Sequence, residues 1–197
     1  MAPFIKKIPN WLTYLRLVLI PVFVVLMIDP SRTMVSVAAW VFIGAAITDY
    51  VDGFVARRFA AVSDFGKLLD PLADKILVMA GLVMLVSQRS DINGTPWVPG
   101  WMVVIVLSRE IWVTGLRGVA ASRGLIVPAG GAGKIKSGFQ MVAIVLLLMH
   151  DLPIRAFGLP FPWSCHIVGI NFLLISLVFS LWGAFEYTWS ILVANQK

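Results

Sequence analysis

Charge is scarce in this chain. Only 13% of its 197 residues are Asp, Glu, Lys or Arg, roughly half the share of a soluble domain. Cysteine is nearly absent: Cys165 stands alone, so no intrachain disulfide can form, and a small buried or lipid-facing role is its default. A secretory pattern is also lacking at the N-terminus. Lys6 and Lys7 precede a long apolar segment, but no small-residue cleavage site follows, so that segment reads as a retained membrane helix. No polar linker or internal repeat divides the sequence, which points to a single domain over residues 1–197.

What is present is apolar. Hydrophobic residues make up 59% of the chain. They gather into six runs near the ~20 residues needed to cross the hydrocarbon core. The runs cover about Leu12–Ile28, Met34–Arg57, Gly66–Gln88, Gly100–Leu116, Lys136–Met149 and His166–Val193. The expected fold is therefore all-α and integral to the membrane, six transmembrane helices in one bundle. With the N-terminus placed in the cytoplasm, all but Arg32, Arg89 and Arg155 of the 16 Lys and Arg fall on the cytoplasmic side or half. That asymmetry matches the positive-inside rule and puts both termini inside. Trp97, Trp101 and Trp163 fall near the outer interface, where indole rings collect. The net charge of +6 suits anionic lipids and phosphate-bearing substrates; with the basic residues at helix ends, nucleic acid is a poor match.

Against that background, the acidic residues of the second and third runs are out of place. Asp49, Asp52, Gly53 and Ala56 share one face of a helix, and Gly66, Asp70 and Asp74 share another. The link between the two helices is short, so the faces can meet as antiparallel neighbours. A carboxylate at the bilayer centre costs about 2.5–3.5 kcal/mol, less near the interface, and four together repel one another. Protonation or a cation must relieve them. Oxygen-only ligands fit a hard ion, Mg²⁺ or Mn²⁺, and two such ions balance four carboxylates. Helix capping, ion pairing, a pore or proton path, or the transport site of a divalent-cation transporter are the competing explanations. Asp64 is expected to cap the third helix. Gly53, Ala56 and Gly66 leave room for close helix packing or for a flat ligand. Arg57, one turn beyond Gly53, is suited to clamping a phosphate.

The spaced pattern Asp49-x-x-Asp52-Gly53-x-x-Ala56-Arg57, eight residues, Gly66-x-x-x-Asp70-x-x-x-Asp74 resembles the signature of the CDP-alcohol phosphotransferase family at every fixed position. The resemblance implies six transmembrane helices around a polar cavity open to the cytoplasm. It implies that Asp49, Asp52, Asp70 and Asp74 hold two divalent cations, with Asp74 also the base that deprotonates an acceptor alcohol. Gly53, Ala56 and Gly66 would line a cytidine pocket and Arg57 would hold the diphosphate. The implied reaction moves the phosphatidyl group of CDP-diacylglycerol to an alcohol, releasing CMP.

Arg109, Arg117, Lys134 and Lys136 cluster at the cytoplasmic side of the fourth and fifth helices, which favours an acceptor that is itself anionic. Ordinary inside-positive flanks account for Arg123 and partly for Lys134, but poorly for Arg109, which interrupts an apolar run. Glu110 is not an obvious partner for Arg109, because adjacent helix positions do not face each other. Three flanking pieces resemble the bacterial branch of the family that uses sn-glycerol 3-phosphate. They are Ile8-Pro9-Asn10-Trp11-Leu12-Thr13 with Arg16 and Pro21, Ser108-Arg109-Glu110 with Gly115-Leu116-Arg117, and Gly133-Lys134-Ile135-Lys136. This implies an enzyme of the inner membrane with its site facing the cytoplasm. The acceptor phosphate would lie among Arg109, Arg117, Lys134 and Lys136, with Thr13 and Arg16 near the nucleotide. Cardiolipin synthesis or an inositol-phosphate acceptor would also want such cations. The oligomeric state is open, a homodimer included. His150 and His166 lie on the outer side with no assigned role, and Glu186 is expected to make a helix–helix hydrogen bond.

Overall fold

In the computed structural model, six helices account for nearly all of the described chain. The structure describes residues 8–28, 31–59, 64–89, 94–123, 132–153, 158 and 163–194; the side chains of 8–10, 49–59, 64–68, 70, 71, 132, 134 and 194 lie outside that description. The helices are α1 (Ile8–Leu26), α2 (Arg32–Phe59), α3 (Asp64–Ser87), α4 (Gly100–Ser122), α5 (Ala132–Leu148) and α6 (Cys165–Ala194). Each overlaps one of the expected runs. α4 continues about a turn and a half past the expected stop at Leu116, because Arg117 does not break a helix; it only ends the apolar run.

Contacts between helix ends fix the topology. The Gln88 amide, just past α3, donates to the Met27 carbonyl after α1 at 2.9 Å. Arg32 at the start of α2 lies 3.5 Å from Asp151, just past α5. Trp97, before α4, lies over His150, and the Cys165 amide opening α6 donates to the Leu152 carbonyl at 2.9 Å. So α1, α3 and α5 finish where α2, α4 and α6 begin, and consecutive helices alternate in direction. The two extremities are called here the Trp97 end and the Asp74 end.

An apolar core fills the Trp97 half. Phe23, Phe42, Leu77, Leu82, Met102, Ile144, Leu147 and Leu173 are fully buried there, and Phe23 and Phe42 pack with tilted rings 5.5 Å apart. Two glycines set the closest approaches. A Cβ at Gly169 would meet Leu147 Cγ at 2.8 Å, and one at Gly81 would meet the Phe42 ring at 2.9 Å. Small residues let helices pack closely where a surrounding lipid offers no hydrophobic drive.

The outside is apolar too. Trp11, Trp40, Trp112, Trp182 and Trp189 are all more than half exposed, as are Val25, Val104, Ile111 and Val178. An outer surface so continuously apolar suits lipid rather than water. Trp97 departs from expectation: it is buried against His150 instead of lying at the interface, whereas Trp101 and Trp163 are exposed. Among the described residues only α6, over Cys165–Val193, is both long and apolar enough to cross a bilayer by length and composition. Trp11–Leu26, Arg32–Thr48 and Ile135–Leu148 are apolar but shorter.

Candidate functional site

The polar interior begins where the apolar core stops, and α1, α3, α4, α5 and α6 each contribute described residues at the same end. On α1, Thr13 and Arg16 are buried one turn apart, below Ile20 and Phe23. On α5, Lys136 and Gln140 are buried one turn apart, below Ala143 and Ile144. On α6 the buried Ser176 and Ser180 follow Leu173. α2 carries Asp49 and Asp52 past its buried Ala45, and α3 carries Asp70 and Asp74 before Leu77. The backbones of both acidic pairs are helical, so the three- and four-residue spacings do put each pair on one face. The side chains of Asp49, Asp52, Gly53, Ala56, Arg57, Gly66 and Asp70, like that of the expected cap Asp64, lie outside the described residues. Their convergence therefore stays an expectation.

Asp74 is described, and it is half-buried. Its carboxylate is within electrostatic reach of the Lys136 ammonium on α5. Lys136 in turn donates to Glu110 Oε1 on α4, and Arg109 Nη1 donates to the same oxygen at 2.7 Å. Arg109 spends its Nε on the Ser180 carbonyl of α6 at 2.9 Å. Arg109, Glu110 and Lys136 are all about nine-tenths buried at the side chain. Buried charges of this kind persist only when paired and hydrogen-bonded.

The pairing of Arg109 with Glu110 reverses the sequence expectation. Adjacent helix positions point about 100° apart, but both side chains are long, and Lys136 draws the carboxylate into the crevice between α4 and α5. Glu110 is the residue that sequence reasoning missed. The available signal was an acidic residue inside an apolar run, opposite a helix that carries Lys136 in a similar run.

Other candidates are placed differently. Arg117 is exposed, its guanidinium 5.5 Å from the centre of the Tyr187 ring on α6, outside the buried cluster. The Lys134 side chain lies outside the described residues. Lys75, beside Asp74, donates to Thr114 Oγ1 at 2.6 Å and ties α3 to α4. Glu186 is exposed on α6 and makes no side-chain hydrogen bond to a described residue, so the expected helix–helix bond is not there. It sits near the helix end, where a carboxylate can reach water. Among the described residues no three His, Cys, Asp or Glu gather into a metal-sized group, and three of the four aspartates expected to form one are outside that set. The chemistry of the expected donors, four carboxylates with no nitrogen or sulfur, fits hard divalent cations.

Comparison with known proteins gives this geometry a context. The family profile of CDP-alcohol phosphatidyltransferases matches residues 6–187. The chain is 40% identical to the CDP-diacylglycerol–glycerol-3-phosphate 3-phosphatidyltransferase of Bacillus subtilis (strain 168), over 94% of this chain and 97% of that protein. It is 35% identical to the enzyme of the same name from Pseudomonas fluorescens, over 92% and 88%. With the one from Rickettsia bellii (strain RML369-C) the figures are 36%, over 73% and 76%. A match across nearly the whole chain, spanning both aspartate helices and the buried cation cluster, leaves one assignment: this protein is a member of the CDP-alcohol phosphatidyltransferase family.

Proposed function

We propose that this enzyme transfers the phosphatidyl group of CDP-diacylglycerol to sn-glycerol 3-phosphate, giving phosphatidylglycerophosphate and CMP. The observation that carries the acceptor is the buried meeting of Arg109 and Lys136 on one carboxylate oxygen, within electrostatic reach of Asp74. Two cations that already converge on a carboxylate in the bundle interior can converge on a phosphate. The relatives' names agree in naming glycerol 3-phosphate.

In this reading the acceptor phosphate rests against Arg109 and Lys136, with Lys134 and Arg117 near the entrance. Its primary hydroxyl then points toward Asp74, which takes the proton. The hydroxyl oxygen bonds to the phosphorus that carries the diacylglycerol, and the bond from that phosphorus to the oxygen of CMP breaks. Arg57 holds the diphosphate, and Gly53, Ala56 and Gly66 leave space for the cytidine. Thr13 and Arg16, buried on α1, border the nucleotide. Asp49, Asp52, Asp70 and Asp74 are the residues that would hold two Mg²⁺ or Mn²⁺ ions, which supply charge neutralisation to the phosphates when bound. All six helices cross the membrane, with the Asp74 end facing the cytoplasm. The support is the alternating topology, the apolar exterior and the gathering of Arg16, Lys75, Arg109, Arg117 and Lys136 toward that end.

The test is reconstituted enzyme in vesicles with CDP-diacylglycerol and a panel of alcohols. CMP release should require both glycerol 3-phosphate and a divalent ion, and EDTA should stop it. Turnover with serine or inositol but not with glycerol 3-phosphate would overturn the acceptor.

A further inference from the structure

At the opposite extremity lies a second polar feature that the transfer reaction does not use. A cavity of about 380 Å³ opens between the start of α2, the end of α3 and the end of α5. Among the described residues its charged lining is Arg32, Arg89 and Asp151, and its apolar wall includes Val35, Trp40 and Leu148. At 1.5 Å per residue, the 17 positions from Arg32 to Asp49 along α2 put this cavity about 26 Å from the first aspartate. That is close to one hydrocarbon thickness.

We propose that this cavity binds the phosphate headgroup of an anionic phospholipid in the leaflet opposite the aspartates, with an acyl chain laid along Val35 and Trp40. Among the described residues of the lining, two arginines stand against one carboxylate and face an apolar wall. The Arg89 guanidinium bonds to no described residue. Arg32 reaches Asp151 only at 3.5 Å, with its side chain 88% exposed, so that pair is worth little and gives way readily to a phosphate. Arginine grips a phosphodiester through two parallel hydrogen bonds. The rest of the rim is fixed beforehand. Asp151 holds His150 at 3.0 Å, His150 packs tilted against the Trp97 ring, and the Trp97 carbonyl is bonded by His166 at 2.8 Å. A free phosphate would use the arginines but leave the apolar wall uncovered, which is why the lipid is the better occupant.

Native mass spectrometry of the full chain, titrated with phosphatidylglycerol or phosphatidylcholine, reads the site directly. The wild type should retain one phosphatidylglycerol that the Arg32→Gln/Arg89→Gln double variant loses, with preference over phosphatidylcholine falling about tenfold. Ser36→Phe, which fills the cavity and keeps both arginines, should lose the same lipid. CMP release in detergent should be unchanged in both variants, since neither touches the Asp74 end. Equal lipid retention by wild type and both variants would overturn the proposal. So would displacement of the lipid by millimolar inorganic phosphate, which would make the site one for free anions.

Discussion

The two halves of this bundle solve opposite problems with the same six helices. In the Trp97 half the interior is apolar and close-packed, and Gly81 and Gly169 admit neighbouring side chains to within less than a normal Cβ contact. In the Asp74 half the interior is polar, and Arg16, Lys136 and Gln140 are as buried as the leucines above them. An apolar surrounding favours the first arrangement, since close packing is what then holds helices together. It penalises the second, because each interior charge needs a partner or a ligand. A helix pair within the close-packed core can only be loosened; one in the polar half can bind something. The difference locates stability and chemistry in separate parts of each helix, and substitutions should separate them.

The largest effect is expected from Asp74→Asn. Loss of a general base lowers turnover about 10²–10⁴-fold. Binding of CDP in the presence of Mg²⁺, followed by calorimetry, should survive in large part. Full activity would remove Asp74 from its assigned role.

Lys136→Met comes next. The methionine keeps the length of the buried side chain but removes the cation that Glu110 and the acceptor phosphate would share. Losing one charged hydrogen bond should raise KM for glycerol 3-phosphate about 10–100-fold. KM for CDP-diacylglycerol should stay within about twofold. An equal rise in both KM values would mean that Lys136 only holds α4 to α5.

Gly169→Leu probes the other half. The new side chain would collide with Leu147 Cγ and come within 3.2 Å of the Leu147 amide, where backbone cannot yield cheaply. Overpacking costs about 1–3 kcal/mol. A lower thermal unfolding midpoint in detergent, with near-normal CMP release at low temperature, is the expected pair of results. Lost activity with an unchanged midpoint would show that the halves are not separable.

How much of this was legible beforehand follows from the same division. Apolar runs read well because a helix satisfies its backbone groups within itself and so needs only a sustained apolar stretch; each of the six runs locates one helix, although among the described residues only α6 is long and apolar enough to cross a bilayer. The acidic residues stood out because lipid makes them costly. What did not read was anything that depends on two helices at once. Glu110 was set aside on the rule for neighbouring positions, although the carboxylate is held by Lys136 from α5 as well as by Arg109. Trp97 looked like an interfacial anchor, yet it packs inward because His150 and His166 offer its ring and its carbonyl partners. Gln140 and Ser180 gave no signal at all: both have a buried polar atom without a hydrogen-bond partner among the described residues, a condition that only the assembled interior defines.

The smallest effect sharpens the boundary of the polar half. Arg117 matches the acceptor cluster by sequence, but its guanidinium lies over Tyr187 on α6, exposed and outside the Arg109–Glu110–Lys136 group. An exposed cation–π contact is worth about 0.5–1 kcal/mol. If stacking is its whole role, Arg117→Ala should lower the unfolding midpoint slightly and leave KM for glycerol 3-phosphate within about twofold. Tyr187→Leu should then reproduce the effect, because it removes the same contact from the other side. If Arg117 swings inward onto the acceptor, Arg117→Ala should raise that KM about tenfold or more while Tyr187→Leu leaves it unchanged. The two variants together decide whether the acceptor pocket ends at the buried cations or reaches outward to the rim of α4.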